Sequence, residues 1–299
     1  MRPSSSPFID VVLVANERYA PGLTATRESL VAACSALERL RFHVFGDADM
    51  EPLARRLPLS DYNGSKLPYL RLFLPELLPE CDWVLYSDVD TLWFRDPIEL
   101  WEERDDAKAI CWVADFPVIR VEYDKWRRSK GVTIGATRHY ACSGVALLNL
   151  RKWREMDLTA RAMRFIRDYG CPPYADQDVL NALLADDARL LDPVWDMLAP
   201  GMRLSPCVYH VTGIGRHFGK ARYDGPIPQY AWWFAWRGEA SDRQAVARRF
   251  RRLARLADAV LPLVIFLHNS PPDWYWWKVL LMKVWRRLGY ARVTREVTR

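Results

Sequence analysis

Three pairs of aspartates in this chain stand two residues apart: Asp47 and Asp49 in FGDADM, Asp88 and Asp90 in VLYSDVDTLWFRDP, and Asp176 and Asp178 in YADQDVLNALL. Two carboxylates brought together repel unless positive charge lies between them, and a divalent cation is one way to supply it. The plainer explanation is local, because Asp is common where a chain turns. A D-x-D triplet arises about once by chance in a chain of this length, so spacing alone does not rank the three pairs. Context does. Asp88 and Asp90 close the apolar run DWVLYSDVD (82–90), read as a strand, on which residues i and i+2 face one side roughly 6.5–7 Å apart. Asp176 and Asp178 open a helical stretch, where N-capping by itself accounts for them. Asp47 and Asp49 run into a Met-Glu-Pro turn and read as loop residues.

The elements around these acids alternate. FIDVVLVAN (8–16), RFHVFG (41–46), DWVLYSDVD (82–90), AICWVADF (109–116), SGVALLNL (143–150) and CVYHV (207–211) read as strands. Helical spacing marks residues 22–37, LPYLRLFLPELLP (67–79), IELW (98–101), RKWREMDLTARAMRFIRDY (151–169) and DQDVLNALLA (176–185). Strands alternating with helices predict an α/β fold around a mostly parallel sheet. Ligands of such sheets sit beyond the carboxyl ends of the strands, which is where Asp88 and Asp90 fall.

The 299 residues, half of them apolar, suffice for one large α/β domain or for a domain with an appendage. The start MRPSSSPFIDVVLVANERY has an apolar run too short for a secretory signal, so a cytoplasmic protein with reduced thiols is expected. The six cysteines show no zinc-like spacing. No G-x-x-x-x-G-K-[ST] is present, which argues against a P-loop ATPase. GIGRHFG (213–219) opens no apolar helix, so a dinucleotide-binding Rossmann reading is poor. A D-x-D phosphatase-like hydrolase is an alternative, although Thr91 follows the second Asp directly and a full βα unit precedes the motif.

Charge divides the chain. Residues 239–299 carry a net +8, the first 238 a net −2, and half of the 14 tryptophans lie between residues 232 and 285. In SDRQAVARRFRRLARLADAV, Val246, Phe250, Leu253 and Ala257 share one helical face, with Arg248, Arg249, Arg251, Arg252 and Arg255 around the remainder. A basic amphipathic helix followed by Trp beside Lys and Arg suits an anionic membrane surface. AVLPLVIFL (259–267) is too short to span a bilayer. A helical pair packed on the body is the alternative, and no nucleic-acid-binding module is visible.

Six segments in order across residues 8–218 give the chain its resemblance: VVLVANERYA, PYLRLFLPELLP-ECDWVLYSDVDTLW, SGVALLNLRKWRE, ADQDVLNALL, LDPVW and HVTGIGRHF. The chain resembles the family 8 retaining glycosyltransferases, the group of glycogenin and the bacterial lipopolysaccharide glucosyl- and galactosyltransferases. The resemblance implies a GT-A fold, expected over residues 1–225, and the shift in charge and tryptophan content marks a basic, Trp-rich helical region over 226–299. The resemblance also implies hexose transfer from a nucleotide sugar, usually UDP-linked, to a saccharide or lipid-linked oligosaccharide acceptor, on the inner face of a bacterial membrane. It implies a Mn²⁺ or Mg²⁺ cofactor held by Asp88, Asp90 and His210. It places Ala15, Asn16 and Tyr19 at the base and Arg71, Val89, Gly213 and Arg216 along the donor. Asp115, Ser143, Gly144, Asp176 and Gln177 fall at the sugar, with Gln177 and Asp176 as the catalytic pair. Three departures stand out: Asn16 where the family often has Asp, Cys142 for a common Asn, and His217-Phe218 for Pro-Trp. A family member that binds a nucleotide sugar or membrane partner without catalysis is the non-enzyme alternative.

Overall fold

The Val-rich run after Phe8 forms β1 (Ile9–Val14), buried along its whole length. The computed structural model describes residues 7–62, 64–115, 117–133, 140–184, 186–196 and 208–210. From β1 the chain passes through α1 (Ala20–Ala33), β2 (Leu40–Phe45), α2 (Asp47–Ala54), a 3₁₀ helix (Leu67–Phe73) and α3 (Leu74–Leu77). Next come β3 (Trp83–Ser87), β4 (Thr91–Trp93), α4 (Pro97–Glu102), β5 (Ile110–Ala114), α5 (Pro117–Ser129) and β6 (Ala141–Asn149). The remainder is α6 (Leu150–Glu155), α7 (Leu158–Tyr169), α8 (Ala175–Leu184), β7 (Ala188–Leu190), a 3₁₀ helix (Pro193–Trp195) and β8 (Val208–His210). The basic, Trp-rich region, Gly213 and Arg216 lie outside the described residues.

Six strands form one sheet in the order β2-β1-β3-β6-β5-β7, and β4 pairs with β8 in a second, two-stranded sheet. In the large sheet the β1–β2, β1–β3 and β5–β7 pairs are parallel, while β6 runs antiparallel to both β3 and β5. The expected mixed, mostly parallel sheet is therefore present, with β6 as the reversed strand. Alternation splits its side chains between two cores. Val12, Val84, Tyr86, Trp112, Ala146 and Leu148 face the Leu67–Phe73 helix and α6 to α8. Val11, Leu13, Leu85, Val113, Val145 and Leu147 face Leu30, Trp93, Trp101 and Trp195 on the other side.

Several elements differ from the sequence reading, each for a local reason. Asp47 and Asp49 are not loop residues: they open α2, where Asp49 Oδ2 accepts from the Gly46 N–H at 2.8 Å. The helix expected over 151–169 is two helices, because Asp157 adopts a left-handed φ of 52° that Asp tolerates better than most side chains. Within 67–79 the first turns are 3₁₀ and only Leu74–Leu77 is α-helical. Pro75 and Pro79 would each remove a backbone bond from a longer helix. Asp88 and Asp90 do not sit on the strand, since β3 stops at Ser87.

Trp153 on α6 is buried completely, and its Nε1 donates to the Ala109 carbonyl at 2.8 Å. Trp153→Ala should cost about 3–5 kcal/mol of unfolding free energy in urea titrations, the range for emptying a large aromatic site in a packed core.

Candidate metal centre and its surroundings

Strand registry brings Ala15, Asn16, Asp88, Asp115, Ser143 and Gly144 to one edge. Leu13 pairs with Ser87, so β1 and β3 end level, with Ala15 and Asn16 just beyond one strand and Asp88 beyond the other. The reversed β6 begins at this same edge, where Ala141 pairs with Ala114 at the end of β5 and the Asp115 N–H donates to Tyr140 O at 2.8 Å. Between β5 and β6 the register jumps: Trp112 faces Ala146 but Val113 faces Cys142. This bulge releases Ser143 and Gly144 from the ladder, a device common beside functional sites.

Asp88, Val89 and Asp90 form the turn from β3 into β4. The turn is pinned from below: Thr91 Oγ1 donates to Asp88 O at 2.9 Å, Ser87 Oγ lies 2.8 Å from Thr91 Oγ1, and Thr26 Oγ1 donates to Thr91 O at 2.8 Å. The Asp88 N–H donates across to Gly144 O at 2.7 Å. A turn, rather than extended spacing, therefore aims both carboxylates at one point. Opposite them, β8 pairs Thr91 with His210. His210 Nε2 comes to 3.1 Å from Asp90 Oδ1 and 3.6 Å from Asp88 Oδ2.

Gly144 makes that approach possible. A Cβ on this residue would lie 2.0 Å from His210 Cε1 and 2.4 Å from Nδ1. His210 itself is buried, and its other nitrogen, Nδ1, lies 2.8 Å from Asp196 Oδ1. Burial disfavours the imidazolium, but Asp196 and then Asp90 outweigh it and hold the pKa well above its ordinary value. A proton on each ring nitrogen thus satisfies the acids when nothing else does.

On the opposite flank Arg71 is buried, with its guanidinium 3.7 Å from the centre of the Tyr86 ring. Its Nη2 donates to Asp88 Oδ1 at 3.1 Å, and Nη1 lies 2.7 Å from Asp176 Oδ2 in a close charge contact. Desolvation pushes Asp88 up to about 6 and Asp176 up to about 7, against the pull of Arg71.

Asp176 and Asp178 occupy the first turn of α8 but are not simple N-caps, because both point into this network. Asp178 is fully buried; it accepts from the Tyr174 N–H at 2.7 Å and from Tyr140 OH. Between them Gln177 has its amide held at both ends. Oε1 accepts from Ser143 N at 3.0 Å, and Nε2 donates to Asp115 Oδ2 at 2.9 Å and to Tyr140 OH at 3.1 Å. Cys142 lies in the same wall, its Sγ 3.8 Å from His210 Nδ1, with burial raising the thiol pKa well above normal. At the β1 end, Asn16 has a buried Oδ1 with no hydrogen-bond partner.

Among the described residues, three groups of side chains have the reach to hold a cation. Asp10, His43 and Cys81 lie at the far end of β1, where Arg41 already grips both oxygens of Asp10. Cys142, Asp196 and His210 meet at an Nδ1 already committed to Asp196. Asp88, Asp90 and His210 offer two carboxylates and an imidazole nitrogen facing one another, a donor set suited to Mn²⁺ or Mg²⁺. The residues fit the cation. Sequence reasoning missed Tyr140 and Asp196; Asp196 directly follows the LDPVW segment, but a lone Asp gave no signal of its own.

The matching family model, Glycosyl transferase family 8, covers residues 31–212, and the chain belongs to that family. General stress protein A of Bacillus subtilis (strain 168) is 28% identical over 44% of this chain, which spans 46% of that relative's length. Among solved structures, the galactosyltransferase LgtC in complex with donor and acceptor sugar analogs superposes with a TM-score of 0.54 at 21% identity, covering 89% of this chain and 99% of LgtC. The apo WbbM bifunctional glycosyltransferase gives 0.58 at 17% identity over 71% of this chain and 47% of WbbM. The fold is thus of the GT-A type expected from the resemblance.

Two outcomes check this geometry. Gly144→Ala should destabilise the protein by about 1–3 kcal/mol in urea, because the His210 ring must leave its seat. The second concerns pH. Burial pushes the Asp178 carboxyl from 3.8 up to about 7, so the folded state keeps a proton that the unfolded chain releases. Its contribution is complete below about pH 4 and is lost as pH rises through 7. Asp178→Asn should make the fall in stability between pH 4.5 and 7.5 shallower by at least about 1 kcal/mol. Paired denaturation curves at the two ends of that window measure it.

Proposed function

We propose that the protein is a metal-dependent, retaining hexosyltransferase that moves a sugar from a UDP-linked donor, UDP-glucose or UDP-galactose, to a saccharide or lipid-linked oligosaccharide such as lipopolysaccharide core. The observation that carries this reading is the convergence of Asp88, Asp90 and His210 beside the Gln177 network at the carboxyl edge of the sheet. A phosphatase-like reading offers no role for an amide fixed at both ends.

A Mn²⁺ or Mg²⁺ ion bound by Asp88, Asp90 and His210 would supply neutralising charge for the departing diphosphate. The remaining roles belong to the chain. Arg71 holds Asp88 and Asp176 in place and keeps the acidic edge from repelling the donor. Asn16 offers its unpartnered Oδ1 to a base N–H, beside Ala15 and Tyr19. Ser143, Gly144 and Asp115 frame the sugar. Gln177 and Asp176 face the developing positive charge of an oxocarbenium-like centre; the acceptor hydroxyl attacks from the face the diphosphate leaves, the bond to the diphosphate oxygen breaks, and a diphosphate oxygen takes the hydroxyl proton. Gly213 and Arg216, from the sequence alone, would bind the diphosphate.

The division at residue 225, with the basic 226–299 region resting on an anionic, cytoplasm-facing membrane surface, belongs to the same proposal and rests on sequence. No helix among the described residues is long and apolar enough to cross a membrane.

UDP release from a panel of nucleotide sugars, with and without Mn²⁺, tests the activity. The expected result is Mn²⁺-dependent release with one or two UDP-hexoses, lowered at least about 100-fold in Asp90→Asn and in Gln177→Ala at saturating donor. Release without any divalent cation, or full transfer by Gln177→Ala, would remove the metal or the Gln177 role respectively.

A further inference from the structure

Each acid that gathers near His210 has a place in the proposed reaction except Asp196. Its side chain is shut off from water, and it emerges from the 3₁₀ helix Pro193–Trp195, away from the segments that carry the other site residues. Oδ1 lies 2.8 Å from His210 Nδ1, and Oδ2 is buried with no hydrogen-bond partner. Nothing else among the described contacts explains why this carboxylate is held out of water. Its one described side-chain hydrogen bond is with the imidazole, and the Cys142 thiol lies close by.

We infer that Asp196 is a positioning residue that fixes the tautomer and the aim of the His210 ring toward the cation. The inference rests on the reading of Asp88, Asp90 and His210 as a metal site. A neutral imidazole carries one proton, and Nε2 can donate its lone pair to a cation only when that proton sits on Nδ1. A carboxylate that can only accept forces this choice. Cys142 Sγ, 3.8 Å from the same nitrogen, is a weak acceptor and already receives the Gly144 N–H at 3.5 Å. Orientation is fixed as well. The missing Cβ of Gly144 lets the ring pack against β6, and Asp196 holds its far end. The carboxylate has a firm base, because Trp195 is buried in the core and Asp192 Oδ1 accepts from Val194 N at 2.9 Å. A carboxylate behind the ring also makes Nε2 a stronger donor. The effect should be larger for Mn²⁺ than for Mg²⁺, because the imidazole is the ligand that separates the two.

Metal binding by the full chain, measured by calorimetric titration of MnCl₂ and MgCl₂ without donor, tests this directly, with circular dichroism as the check on folding. Asp196→Ala should weaken Mn²⁺ binding by about 10–100-fold and Mg²⁺ binding by less. Asp196→Asn keeps an acceptor for the Nδ1 proton but lacks the charge, so its Mn²⁺ affinity should fall between wild type and Asp196→Ala. Asp192→Ala, which loosens the same short helix, should leave the Mn²⁺-to-Mg²⁺ preference unchanged. Equal losses for both cations, or the same shift in preference from Asp192→Ala, would reduce Asp196 to a structural role and overturn the inference. Should Asp196→Ala fail to fold, Asp196→Asn decides alone: wild-type Mn²⁺ affinity in that variant overturns it. His210→Ala separates the two layers of argument. If wild type binds no divalent cation, the metal site itself fails; if His210→Ala weakens Mn²⁺ and Asp196→Ala does not, only the role of Asp196 fails.

Discussion

Six aspartates, Asp88, Asp90, Asp115, Asp176, Asp178 and Asp196, converge on one edge of the sheet, and four of them are buried. Such a concentration of like charge would push the edge apart unless it were met locally. Arg71 meets it on one side. Its guanidinium bridges Asp88 and Asp176 while lying over Tyr86, so the planar cation touches acids at its rim and an aromatic face beneath. His210 meets it on the other side, lying within reach of Asp88, Asp90 and Asp196. Taking either partner away would strand buried acids, a defect that generally costs about 3–5 kcal/mol. The short helix that carries Arg71 and the two-stranded sheet that carries His210 are therefore as much electrostatic parts of the fold as packing parts.

The reversed β6 gives those charges a floor. A wholly parallel sheet would offer only strand ends and loops at this edge, whereas β6 starts here and contributes Cys142, Ser143 and Gly144 as strand residues. The bulge opposite Val113 frees this stretch from its neighbour. Ser143 can then engage Gln177, and Gly144 can bond Asp88 on one side and receive the His210 ring on the other.

Periodicity made the large sheet legible: the continuous apolar runs at 8–16, 82–87 and 143–150 could hardly form anything but buried strands. The short partners β4 and β7 were invisible, since three residues carry no period. The break at Asp157 was hidden because helical spacing continues across it, and only the backbone conformation reveals it. Asp88, Asp90 and Arg71 were legible through ordered motifs. Even so, extended spacing does not account for the pairing of Asp88 and Asp90, which a turn after Ser87 produces. Asp196 and Tyr140 escaped because their significance lies in what they touch across the fold, and residues 211–299 carry readings that stand on sequence alone.

Asp90 and His210 are 120 residues apart, and β8 reaches β4 only after the whole six-stranded sheet has been laid down. During synthesis, a chain that has emerged only as far as the 3₁₀ helix at Pro193–Trp195 already contains every strand of that sheet, yet it lacks the imidazole. Closing so long a loop adds little entropy beyond a shorter one, but it must wait for its last residue. Completion of the charge-balanced centre is therefore coupled to the return of the chain, and Asp88 and Asp90 meet their imidazole only once β8 has paired with β4.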